Sequence, residues 1–142
     1  MENGNWSTMF LVCGQSLDPG IIEERLGFRP TAFVRSGEIP RPAGGDRQFD
    51  PRLSLDCWKR ALSGRQYKQG LAEQLGYWCD LLSPAQSALR HLRSLGHWTV
   101  VDCQGYRNPA SPVRTLQFRL PVELRRRLER LEIDLEFAIS TV

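Results

Sequence analysis

Residues 121–139 read Pro-Val-Glu-Leu-Arg-Arg-Arg-Leu-Glu-Arg-Leu-Glu-Ile-Asp-Leu-Glu-Phe-Ala-Ile, and the hydrophobic period changes inside them. Leu124, Leu128 and Leu131, with Val122 before them, recur at the spacing of one helix face, and Pro121 suits a helix start because no N–H is needed there. From Ile133 the period drops to two. Ile133, Leu135, Phe137 and Ile139 point one way while Asp134 and Glu136 point the other, the pattern of a half-buried strand. Immediately upstream, Leu116, Phe118 and Leu120 alternate with Gln117 and Arg119, which predicts a further strand. The C-terminal third therefore reads strand, Pro-opened helix, strand.

The N-terminal third has the same order. Met9-Phe-Leu-Val-Cys13 is a buried strand ended by Gly14. Asp18 is placed to cap a helix that Pro19 opens, Ile21, Ile22 and Leu26 continue, and Gly27 terminates. Thr31 to Arg35 is a short second strand. Between the two thirds, Leu53–Lys59 reads as a strand. Leu71, Leu75, Trp78 and Leu82 fall at helical spacing, and Ser83-Pro84-Ala85-Gln86 has the form of a capping box. Ala85, Ala88, Leu89 and Leu92 follow to Gly96, and His97–Cys103 is a strand. The expected fold is α+β: a mostly antiparallel sheet of about six strands with helices packed on one face. The matching thirds suggest a doubled split β-α-β, or ferredoxin-like, arrangement.

With 142 residues, 41% apolar and 25% charged, the chain has the profile of a single globular domain spanning 1–142. Nothing approaches the roughly 18 apolar residues of a membrane span, and Met9–Cys13 is too short for a signal-peptide core of about 7–15 residues. A cytoplasmic location is expected, with no membrane partner. Cys13, Cys57, Cys79 and Cys103 form no CxxC pair and read as small buried hydrophobes.

Catalytic patterns are missing. The only histidines are His91 and His97, and about 20 Å of extended strand separates His97 from Cys103. No HxxxH or paired-cysteine spacing offers a zinc site, and no GxxxxGK[ST] loop cradles phosphate. The sequence thus predicts no enzyme, no metal and no cofactor. Arg125-Arg126-Arg127 resembles a nucleic-acid patch, but Arg119–Glu136 holds five Arg and five acids, with Glu123 four residues before Arg127. That run is a salt-bridged helix face.

The basic excess lies elsewhere. Of 19 basic residues all but Lys59 and Lys68 are Arg. Residues 29–68 carry nine basic and four acidic groups, a local net of +5 against +3 for the chain. This window contains the one long irregular stretch, at about 36–52, where Gly37, Pro40, Pro42, Gly44, Gly45 and Pro51 break every period. Irregular stretches of that length are uncommon and usually functional. Arg35, Arg41, Arg47 and Arg52, with Phe49 and Trp58, are the candidate binding residues: guanidinium forks for carboxylate or phosphate, aromatics as rigid anchors.

Leu17-Asp18-Pro19, Leu26-Gly27-Phe28-Arg29-Pro30-Thr31 and Arg35-Ser36-Gly37-Glu38 resemble an uncharacterised bacterial family, the domain of unknown function numbered 4279. Trp58, the amphipathic middle helices and the closing Leu131–Phe137 segment fit the same pattern, and Trp58 and Trp78 fill its two central tryptophan places. The resemblance covers residues 9–140 and brings no catalytic residues. It implies a binding role, since small families of this kind often neighbour bacterial toxins as their antidotes.

The expected function is therefore a non-catalytic protein-binding module, an immunity protein that occludes a toxin domain presenting an acidic or neutral patch. The alternative is a nucleic-acid or nucleotide binder using residues 29–68. Against it stand the mild charge and the lack of a known nucleic-acid-binding signature. An edge strand at Ile133–Ile139 also offers pairing with a second copy.

Overall fold

The computed structural model describes residues 5–36, 55–64, 69–110, 112 and 115–141. In chain order the elements are β1 (Asn5–Gly14), α1 (Pro19–Leu26), β2 (Ala32–Val34), β3 (Asp56–Ala61), α2 (Leu71–Leu82), a single 3₁₀ turn (Ser83–Ala85), α3 (Gln86–Ser94), β4 (Trp98–Arg107), α4 (Val122–Leu131) and β5 (Asp134–Thr141). They form an α+β fold around one sheet, ordered β2-β3-β1-β4-β5. The sheet is mixed but mostly antiparallel, since only β4 and β5 run parallel.

Local chemistry explains the boundaries. Asp18 caps α1 by accepting from the amides of Gly20 and Ile21, at 3.0 and 3.2 Å. Gly27 ends α1 at φ 85°, a left-handed conformation that glycine adopts without steric cost. The expected capping box at Ser83 is not formed. Its hydroxyl donates 2.5 Å back to the carbonyl of Cys79, so α2 runs through the 3₁₀ turn into α3 instead of restarting, and the Gln86 side chain donates to the carbonyl of Arg130.

Among the described residues five strands form rather than six. Leu116–Leu120 has no strand span, only an isolated bridge at Gln117; its apolar residues alternate because they pack onto the sheet side chains below them. Leu116 lies over Gly105 of β4, and Phe118 stacks on Phe137 at 5.2 Å and meets the edge of Trp6 at 5.3 Å. The expected doubling is corrected accordingly. In the first unit, β3 inserts between β1 and β2 and splits the β-α-β. In the second, α4 joins β4 to its parallel neighbour β5, with no strand between them in the sheet.

The helices contribute to one core, on one face of the sheet. Phe10 and Val12 of β1, Trp58 of β3 and Val101 and Cys103 of β4 meet Ile22 of α1, Leu75 and Trp78 of α2, Leu89 of α3 and Leu128 of α4, all of them buried. Phe10 stands at the centre, with the rings of Trp78, Trp58 and Phe28 at 6.1, 6.2 and 6.4 Å, in tilted or edge-on contact. A buried polar relay crosses this core. The Trp78 indole N–H donates to the Thr8 hydroxyl, which donates to Oε1 of Gln74, each at 2.8 Å, and Nε2 of Gln74 donates to the carbonyls of Trp6 and Gln69. The relay fixes α2 on β1 with every polar atom it uses satisfied. On the opposite face a smaller cluster collects Leu11, Cys13, Cys57 and Val100, bordered by Met9, Leu55 and Trp98. Among the described residues, no helix is long and apolar enough to cross a membrane.

Candidate functional site

β1 ends at Gly14, β2 ends at Val34 and β3 begins at Asp56, so three strand ends meet at one end of the sheet. The turn 15–18 and the start of α1 lie beside them. Together Gln15, Ser16, Asp18, Arg35, Ser36 and Asp56 border an open hollow of about 780 Å³.

Asp56 organises this end. Its carboxylate is buried, with Oδ2 accepting from the Leu17 amide at 3.0 Å and Oδ1 from the Ser36 amide at 2.8 Å. Nη1 of Arg35 donates to Oδ2 at 3.2 Å and to the Leu17 carbonyl at 3.2 Å. The Ser36 amide is the largest influence holding the Asp56 carboxyl below its ordinary range; burial opposes it, and the Leu17 amide and Arg35 reinforce it. One carboxylate thus ties the β1–α1 turn to the end of β2.

The same contacts position Arg35. Its guanidinium carbon lies 4.9 Å from the centre of the Phe33 ring, while its side chain remains 51% exposed. Arg35 is therefore oriented by Asp56, the Leu17 carbonyl and the Phe33 ring. Farther along the same side, Arg60 sits 5.8 Å from the Phe28 ring centre and donates 2.8 Å to the Arg29 carbonyl. The exposed Arg29 side chain lies 3.8 Å from Glu23. Two arginine–phenylalanine pairs thus mark the β2 side of the sheet.

Of the six candidate binding residues, Arg35 is placed at the hollow and Trp58 is placed in the core. Trp58 is 0% exposed and packs on Phe28 and Phe10, so its ring offers no face to a partner. Arg41, Arg47, Phe49 and Arg52 lie outside the described residues, as does all of the irregular stretch except Ser36. Asp56 is not among the candidates that the sequence suggests, where it is only one acid in a basic window. No local signal marks it: the sequence places Asp56 inside a Leu53–Lys59 strand, whereas the strand begins at Asp56, and its position opposite Gly14 appears only in the assembled sheet.

The arginine-rich helix α4 is ion-paired, with altered partners. Arg126, not Arg127, pairs with Glu123, at 2.9 Å, while Arg127 reaches Asp80 on α2. Both histidines border a second hollow of about 250 Å³, with Ser16, Asp18 and Arg25. Among the described residues no three His, Cys, Asp or Glu side chains gather as a metal site.

An apolar surface lies at the other edge of the sheet. Phe118, Phe137 and Ile139 are 39%, 42% and 61% exposed at the β5 side, the opposite edge from β2. Their alternation reads as core from sequence, because nothing local shows that these side chains stay exposed at the sheet edge.

An α+β domain with one mostly antiparallel sheet and an arginine held by a buried aspartate at the sheet's end is the class that this geometry defines. The chain belongs to the family described as a domain of unknown function (DUF4279), whose model matches residues 4–141. Comparison with curated proteins and with solved structures finds no match.

Proposed function

We propose that the protein is a non-catalytic protein-binding module that engages its partner through the sheet end around Arg35 and the adjoining basic segment. The supporting observation is Arg35, held in place with about half of its side chain exposed, at the lip of an open hollow. An arginine already oriented by Asp56, the Leu17 carbonyl and Phe33 loses little conformational freedom on binding, as befits an interface anchor. The partner presents carboxylates or carbonyls to it and carries an acidic or neutral patch, because a basic one is repelled. In its sharper form the proposal is a bacterial immunity protein, acting in the cytoplasm and covering the working face of a toxin domain.

The nucleic-acid reading is weaker for a specific reason. Asp56 already pairs with Arg35, and Glu23 lies beside Arg29, so two of the three arginines described on this side have acidic neighbours. Phosphate backbones favour cations without such competition.

The test is capture of cross-linked partners from native cells, using the wild-type chain, Arg35→Ala, and a triple reversal of Arg41, Arg47 and Arg52 to Glu. One protein partner should be retained by the wild type and lost by both variants, with their circular dichroism unchanged. Retention by both variants would sink the proposal. So would oligonucleotide binding that weakens steeply between low and moderate salt while no protein partner appears.

A further inference from the structure

On the sheet face away from the helices, Cys13 and Cys57 occupy directly opposed positions of the antiparallel β1–β3 pair. Their sulfurs are 3.3 Å apart, and the residues are 0% and 1% exposed. Opposed residues in antiparallel strands have Cα atoms about 4.5 or 5.5 Å apart, and both spacings lie within the roughly 4.4–6.8 Å that a disulfide spans. Small side-chain rotations can therefore join these sulfurs without moving either strand.

We infer that Cys13 and Cys57 are a dithiol–disulfide pair, a cross-strand clasp that closes under oxidation. With hydrogen peroxide as oxidant, one thiolate attacks a peroxide oxygen and yields a sulfenic acid, and hydroxide leaves to become water. The second thiolate then attacks that sulfur and expels hydroxide, which takes up the proton that thiol released and becomes the second water. Two thiols and one peroxide give one disulfide and two waters, so protons and electrons balance.

Position supplies access. Cys13 is the penultimate residue of β1 and Cys57 the second of β3, and strand ends open more readily than strand centres. The clasp also lies one residue from the functional end of the sheet. Gly14 and Asp56 are the next opposed pair, and Asp56 carries the contacts that orient Arg35. Closing it fastens β1 to β3 beside that carboxylate and links positions 44 residues apart.

Cys103, on the other face of the sheet, is opposed by Thr8 of β1 and Phe137 of β5, so its strand neighbours offer it no thiol.

The full chain, reduced and then treated with dilute hydrogen peroxide while folded, should lose two hydrogens by intact mass. Peptide mapping should find Cys13 linked to Cys57, dithiothreitol should reverse the link, and the oxidised form should melt several degrees higher. Cys57→Ala should abolish the link, whereas Cys103→Ser should retain it. The mapping on wild-type protein stands even where a variant folds poorly. Linkage through Cys79 or Cys103, oxygen addition without a link, or no change in mass would each overturn the inference.

Discussion

At the residue scale, Asp56 and Trp58 show how two close residues of one strand take opposite duties. Asp56 is a buried acceptor for two backbone amides and one guanidinium. Replacing it with Asn gives up its charge and turns an N–H₂ toward these donors, at an expected cost of about 2–3 kcal/mol at pH 7. The pH dependence follows from its lowered pKa. A carboxyl depressed in the folded state stabilises fully above its unfolded value, about 4, and loses that contribution as pH falls through the folded one. The melting-temperature gap between wild type and Asp56→Asn should therefore be widest at neutral pH and shrink below about pH 4. A constant gap down to about pH 3 would exclude this role. Trp58, by contrast, is a core residue whose indole N–H has no hydrogen-bond partner among the described residues. Trp58→Phe should lose volume but no hydrogen bond and cost about 1–2 kcal/mol, against about 3–5 kcal/mol for Trp58→Ala. Chemical denaturation of the two variants distinguishes the cases.

At the scale of elements, two strand glycines hold neighbouring pieces in contact. A Cβ at Gly105 of β4 would lie 2.6 Å from Leu116 and 3.0 Å from the Trp6 ring. Gly105→Ala must move the Leu116 methyl and press on the Trp6 ring, at an expected cost of about 1–3 kcal/mol, and should shift the Trp6 fluorescence. An unchanged emission spectrum would contradict this packing. Gly14 plays the same part against His97, whose Nδ1 would be 2.3 Å from an added Cβ. Gly14→Ala should be destabilising alone and much less so beside His97→Ala, a coupling that a double-mutant cycle measures. Both glycines sit where another segment crosses the strand closely. That reason is invisible in the local sequence, which offers Gly14 only as a strand end.

Across the whole molecule, β1 lies at the centre of the sheet and pairs with β3 and β4, each far along the chain. Such pairings close long loops before any contact offsets the lost entropy, so refolding should occur in milliseconds to seconds rather than microseconds. Stopped-flow tryptophan fluorescence checks this, and a microsecond phase carrying the full amplitude would refute it. The same order explains the placement of the candidate site. It brings the ends of β1 and β2 and the start of β3 to one side, and leaves the apolar residues of β5 at the opposite edge.

Much of this architecture was legible in the sequence because its causes are local. The change from helical to alternating period between Leu131 and Ile133, the Asp18–Pro19 start and the Gly27 stop each act within one turn of chain. Arg35 stands out in the sequence by its charge and its place before an irregular stretch, while its seat at the sheet end is set by Asp56 and the Leu17 carbonyl. The tertiary structure decided the rest. It made Leu116–Leu120 a packed segment rather than a sixth strand, set β5 parallel to β4, buried Trp58, and gave Asp56 its three donors. Alternation records which side of a segment is covered, but not whether its backbone finds a strand to pair with. That depends on residues tens of positions away, and only the assembled sheet supplies them.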